Sequence, residues 1–495
     1  MDRTLAVIAV AALSAACELI GAWADEKREI PAAVLFVRQP SPGDASGTLP
    51  PDGSEARPYP SLHDALAAAP AGALLRVDDG TYREAVVIRR PIVLLGRGAG
   101  RTRIVAPDGA APALEIRGAD HVQIHGVSIE AGAVCARFSG GTHKLQKVDL
   151  RGCSQAGIVG RGAQIELVSG TISDVGGGRE GRGIDLDGGG LEARGVVLQA
   201  AGRRAVVLNG ARGLLEDVVV RGSALSALQA TGGADVRVVR GSYEGLGGAA
   251  LYAGASKLRV EGARVRWGEY GVLGFRGAEL AISGGELSDY SVAGVAMVGA
   301  HGTVENVTIA RGGTDAAISV TRADGKKPVL LVGNRIASPG TMGVHITESA
   351  VTARENSITG ARLDAEKDMG DAFYAVDSRL VIEQNVMRGN AGSGVAAVRS
   401  QLRLRGNGFV ENGRAGLLLL DASRGSVTGN NFERNQLAGV ELGEQSRATL
   451  DQNRFGGNVR LDIDVGCGRG LAGKVELGEG NVAKAGVLRQ RTCAQ

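Results

Sequence analysis

The chain has 495 residues, 44% of them hydrophobic, with 56 basic and 53 acidic side chains and a net charge of +3. That hydrophobic share excludes a disordered chain, and the 78 glycines follow no collagen-like triplet. The charges are spread along the sequence, which leaves no basic footprint for nucleic acid and no juxtamembrane Lys/Arg cluster.

At the N-terminus, Arg3 followed by LAVIAVAALSAA has the form of an export signal, and Glu18 interrupts it too soon for a membrane span. Two cleavage readings stand. Ser14-Ala15-Ala16 before Cys17 resembles a bacterial lipobox that would lipidate Cys17, with Ser14 where that motif usually has Leu. The other is ordinary cleavage after Ala22-Trp23-Ala24. Either reading leaves Cys135 and Cys153, and Cys467 and Cys493, as two near pairs of the kind exported proteins oxidise to disulfides. No CxxC spacing points to zinc. A membrane would be met only through that lipid.

The expected organisation is a signal peptide over 1–24, a linker and first strand over 25–60, and one repeat domain over 61–490. AVLFV (33–37) reads as a strand, and the proline-rich stretch 38–60 as a loop. SLHDALAAA (61–69) reads as a short helix with Ser61 as N-cap, Asp64 three residues on and Pro70 at its end. ALLRV, GTYREAVVI and PIVLLG follow as short strands.

The strongest pattern lies at 394–459, where three successive lines each begin with Gly and an apolar run and close on Asn. The period is about 22–23 residues, the mark of stacked units that bury their apolar faces only against one another. Two Asn columns keep phase: Asn385, Asn407, Asn430, Asn453, and Asn390, Asn412, Asn435, Asn458. Stacked amides would pair donor to acceptor, a structural role.

FVRQPSPGDASGT followed by PYPSLHDALAAAPAGALLRVDDGTYREAVVIRRPIVLLG resembles the entry into a right-handed parallel β-helix of the pectin-lyase-like class. Gly80, Thr81, Tyr82, Glu84 and Gly96 carry that resemblance, which spans about residues 34–490. It implies an all-β solenoid behind a short N-terminal capping helix, and about fifteen coils are countable beyond residue 100. The class includes lyases, hydrolases, epimerases, esterases and non-catalytic adhesins, so the resemblance does not choose a function.

Aligning the coils places Ile184/Leu186, Val206/Leu208, Val295/Met297, Val344/Ile346, Phe373/Ala375, Val395/Ala397, Leu417/Leu419 and Val440/Leu442 inside. The outward column then runs Ala296, Ser319, His345, Tyr374, Ala396, Leu418, Glu441, with Glu348, Asp377, Arg399 and Asp421 beside it. The turns lengthen at 323–328 and 360–371, next to His345 and Tyr374. A polysaccharide lyase needs a base, an acid and cations for uronates, which His345, Tyr374, Arg354, Arg379 and Arg399 are able to supply. Asp185 and Asp187 point outward roughly 6.6 Å apart. They offer oxygen ligands to a hard cation such as Ca²⁺, but two carboxylates do not specify a site. Asp462 and Asp464 repeat that pattern, and both pairs read as solvated turn-edge charges.

The calcium carboxylates of pectate-lyase-like enzymes, the catalytic groups of polygalacturonase-like hydrolases and the DPHE-like phrase of alginate-epimerase-like proteins are missing from the sequence. With aromatics at 3%, stacking platforms for neutral sugars are not expected either. The first functional reading is therefore an exported, non-catalytic cell-envelope scaffold or a binder of polysaccharide or an envelope protein, with no cofactor. The alternative is a polysaccharide lyase or related enzyme acting on uronate-containing glycans at His345 and Tyr374.

Overall fold

The computed structural model describes residues 31–40, 49–178, 180–323, 328–366, 368–466 and 473–491. Cys17, Cys467, Cys493 and the stretch 1–24 read as an export signal lie outside them.

Each coil contributes three short strands, and each strand pairs in parallel with its equivalents in the coils before and after. Three sheets result, all running the length of the solenoid. Sheet A begins with Val34–Val37 and Ala73–Val77, sheet B with Gly80–Arg83, and sheet C with Val86–Ile88. Sheets B and C each hold 18 strands among the described residues. At about 4.8 Å per coil the stack is roughly 80 Å long. The structure therefore has about three coils more than the expected fifteen, a count that began beyond residue 100.

The motif at the entry has physical causes. Ser61 Oγ accepts from Asp64 N at 3.0 Å and caps the helix Leu62–Ala68, which buries Leu62 and Ala65 over the first coil. The Glu84 carboxylate accepts from Leu62 N and His63 N at 2.9 and 2.8 Å, where the helix has free donors. Buried Tyr82 donates to Val37 O and Asp78 O. A side chain at Gly96 would strike the Gly126 carbonyl of the next coil. The stretch read as a loop is partly packed, for Tyr59 exchanges backbone hydrogen bonds with Phe36 and Arg38.

All the aligned inward pairs are buried, from Ile184/Leu186 to Val440/Leu442. The core is aliphatic along most of its length and gains a stack of Phe409, Phe432 and Phe455 towards the C-terminus, with ring centroids 4.6 and 5.1 Å apart. The first Asn column forms a continuous ladder longer than the sequence pattern suggested. Each Nδ2 donates to the next Oδ1 from Asn334 through Asn356, Asn385, Asn407, Asn430 and Asn453 to Asn481, at 2.8 to 3.2 Å. The same Oδ1 atoms accept backbone N–H groups of the coil before. The second column, Asn390 to Asn458, behaves alike. A serine ladder joins them between sheets C and A, Ser349, Ser378, Ser400 and Ser423, each backbone N donating to the next Oγ.

Asp462 and Asp464 are not solvated turn-edge charges. They are 3% and 4% exposed because the last strand folds over them. Asp462 accepts from Asn458 Nδ2 at 3.2 Å and Arg489 N at 3.1 Å, ending the second ladder, and Asp464 accepts from Arg491 Nε at 2.7 Å.

Candidate functional site: the outer face of sheet C

Sheet C strands point two columns of side chains outward. The central one runs in unbroken register through Val207, Gln229, Tyr252, Leu273, Ala296, Ser319, His345, Tyr374, Ala396 and Leu418. Two residues further along lie Asn209, Thr231, Gly254, Phe275, Val298, Thr321, Thr347, Val376, Val398 and Leu420. Neither column holds a lysine, arginine or carboxylate over these ten coils, roughly 43 Å of surface. Asp185 and Asp187 border it at one end and Glu441 at the other.

His345 and Tyr374 sit side by side on adjacent strands, Met342–Thr347 and Phe373–Val376, with ring centroids 5.8 Å apart. His345 Nδ1 lies 3.7 Å from Asp315 Oδ1, and its Nε2 shares a 3.2 Å hydrogen bond with Thr347 Oγ1. The long turn 360–371 ends beside them in Asp371, which is 3% exposed. Burial pushes its carboxyl up to about 6, against the opposing hydrogen bond from Ser393 N. Burial, then the charges of Asp371 and Asp368, raise the Tyr374 hydroxyl. Tyr374 also packs on a small apolar cluster of Ala396, Ala415 and Leu418. An imidazole near a carboxylate is able to move a proton, but at 3.7 Å Asp315 makes no hydrogen bond to His345 Nδ1.

The three candidate cations, Arg354, Arg379 and Arg399, do not join them. Arg399 lies in the turn after sheet C, where it grips Asp377 at 2.8 Å and reaches Asp421 at 3.5 Å. Its guanidinium holds the Asp377 carboxyl below the usual range. Arg379 begins a strand of sheet A, Arg379–Glu383, and faces a different side of the solenoid, while Arg354 on that sheet pairs with Glu383 at 3.0 Å. Asp185 forms an ion pair with Arg182, and Asp187 accepts from Asn209 Nδ2 at 2.9 Å. No group of three or more metal-ligating side chains occurs among the described residues. Cys135 and Cys153 are joined by a disulfide across one coil, Cα to Cα 5.6 Å.

The few aromatics are not scattered. Tyr252, Tyr270, Phe275 and Tyr374 all stand half-exposed on sheet C. Trp267, 55% exposed, stands in the turn that leads into the strand Tyr270–Phe275. Arg266 lies 5.7 Å over the Trp267 ring, and Arg276 4.9 Å over Phe275. Composition alone averages this cluster away, and the column alignment, carried upstream of residue 296, was the signal that held it.

A family model described as a right-handed beta helix region matches residues 293–455. No curated protein matches the chain. Among solved structures, the chain is similar to the mannuronan C-5 epimerase AlgE6 A-module of Azotobacter vinelandii, at 13% identity over 85% of this chain and 92% of that one, TM-score 0.22. It is also similar to the catalytic unit of an α-1,3-glucanase from Streptomyces thermodiastaticus, at 12% identity over 90% and 70%, TM-score 0.21. A pectin methylesterase in complex with a hexasaccharide follows, at 13% identity over 60% and 91%, TM-score 0.25. No functional residue is carried over from these proteins. The register, the three parallel sheets and the family match agree on one architecture: the chain is a right-handed parallel β-helix repeat protein.

Proposed function

We propose that the protein is an exported cell-envelope β-helix that binds an extended, uncharged polysaccharide along the outer face of sheet C, without catalysis. The observation that carries this reading is the pair of ten-coil columns that hold no lysine, arginine or carboxylate of their own, in which Tyr252, Phe275 and Tyr374 stand among Gln229, Asn209, Thr231, Ser319 and Thr347. Aromatic faces suit sugar C–H surfaces, and small amides and hydroxyls suit sugar hydroxyls, while a polyuronate would need cations in the same columns. Export rests on the N-terminal sequence and on the Cys135–Cys153 disulfide.

The test is electrophoresis through gels containing neutral glycans or polyuronates. Retardation by a neutral glycan, relieved in Trp267→Ala and Tyr252→Ala, is expected, and retardation only by polyuronates overturns the reading. A second reading, proton transfer at His345, is favoured by its 3.7 Å approach to Asp315. It predicts unsaturated or newly reducing sugar ends that vanish in His345→Ala, and such turnover would replace the non-catalytic reading.

A further inference from the structure

The outer face of sheet A changes character along the solenoid. From Gln164–Val168 to Glu279–Ser283 it carries five basic and six acidic side chains. Most are matched across coils: Arg194 with Glu216 at 3.3 Å, Arg237 with Glu261 at 2.7 Å, Arg259 with Asp235 at 2.7 Å, and Lys257 with Glu279 at 3.6 Å. From Ala350–Arg354 to Lys474–Leu477 it carries seven basic and three acidic side chains. There Arg379, Arg403, Arg405, Arg424 and Arg447 have no acidic partner among the described residues, while Lys474 pairs with Glu476 and Arg354 with Glu383.

Register turns these residues into a stripe. Arg379, Gln401, Arg424, Arg447 and Lys474 occupy one outward column on successive coils, and Arg403 and Arg405 flank it on the Gln401 strand. The column is about 19 Å long at the spacing of parallel strands. Like charges placed directly opposite one another destabilise a sheet, so Arg424 beside Arg447 works against folding in the absence of an anion. Arginine presents a planar fork that grips a carboxylate or sulfate with two parallel hydrogen bonds, and within the stripe only Gln401 and Lys474 are not arginine.

We infer that this stripe is a second binding surface, distinct from sheet C, for a linear acidic polysaccharide lying parallel to the solenoid axis. Its anionic groups recur along one line, as the guanidinium groups do. The stripe is one or two side chains wide, bears no aromatic side chain on which a nucleobase would stack, and is too narrow for a lipid surface. The reading does not depend on the one for sheet C, because the two faces are separate and the ligands differ in charge.

The test uses the full chain with heparin and polygalacturonate as acidic probes and a neutral glucan as control, measured by affinity electrophoresis over a salt series. Binding to at least one acidic probe, weakening as salt screens it, is expected. The pair Arg424→Glu and Arg447→Glu should lower affinity by at least about tenfold. The pair Arg237→Gln and Arg259→Gln, on the matched part of the sheet, should leave it unchanged, as should Trp267→Ala. Far-ultraviolet dichroism and the melting curve report whether each variant keeps its fold, and Arg403→Gln provides a milder change on the same stripe. No binding to either acidic probe, or equal losses in both pairs, overturns the inference. Equal affinity for duplex DNA or anionic vesicles, abolished by the same substitutions, overturns the choice of polysaccharide.

Discussion

In the coils from 122 to 283 the turn after sheet A holds Val127, Val148, Val196, Val218 and Ala263, with glycine at 170, 241 and 285, whereas from 329 to 482 the same column holds seven asparagines. The first half closes that corner with apolar side chains and ties its surface with ion pairs between coils, as Arg237 does with Glu261. The second half closes it with hydrogen-bonded amides, adds a serine ladder at another corner, and stacks three phenylalanines inside. Its outer face keeps some pairs between coils, such as Arg354 with Glu383 and Arg399 with Asp377, but among the described residues leaves five arginines of sheet A without one. The comparison teaches that order inside the second half permits unmatched arginines outside it, so a stretch that is structural within is free to bind without.

Four changes break or sharpen this contrast. Phe432→Ala removes the middle ring of the stack and should cost about 3–5 kcal/mol, read as a lowered urea midpoint. Asn430→Val copies the solution of the first half into the second. It strands the Asn407 side-chain and backbone donors and the Leu404 carbonyl, and should cost about 2–4 kcal/mol. A loss below about 0.5 kcal/mol would show that the two corners are interchangeable.

Asp371→Asn keeps an acceptor for Ser393 N at the start of the second half. Burial raises the parent carboxyl from 3.8 unfolded to about 6 folded, so the folded chain holds that proton more tightly. This stabilisation is complete below pH 3.8 and is lost as pH rises through about 6. The asparagine variant loses nothing there. Its advantage over the parent should grow between those values to on the order of 2–3 kcal/mol and stay level above them, and a pH-independent difference contradicts this. Glu261→Gln breaks one exposed pair in the first half and should cost under about 1 kcal/mol, an effect that fades in high salt.

How much of this was legible in the sequence follows from what repeats. The Asn columns repeat, so the solenoid, its inward pairs and the adjacency of His345 and Tyr374 could be read from spacing alone. The serine ladder escaped because Ser349, Ser378, Ser400 and Ser423 stand among many other serines, and the contacts that distinguish them run between coils. Asp462 and Asp464 looked like Asp185 and Asp187 because the residues that bury them, Arg489 and Arg491, come 27 positions later. Arg379 and Arg399 are near in sequence, but Arg379 begins a strand of sheet A whereas Arg399 lies in the turn after sheet C. The gathering of Trp267, Tyr252, Tyr270 and Phe275 was hidden by a composition poor in aromatics.

The central claim, a sugar-binding face on sheet C, is tested most directly by the fluorescence of Trp267, the only tryptophan among the described residues. Trp267→Phe provides the background, which removes any contribution from Trp23. Titrating a panel of neutral oligosaccharides should give a saturable change in the Trp267 emission with at least one of them, and that change should weaken in Tyr252→Ala and Tyr374→Ala. An emission that stays flat across the panel while polyuronates alter it, or a response indifferent to Tyr252 and Tyr374, would contradict the account.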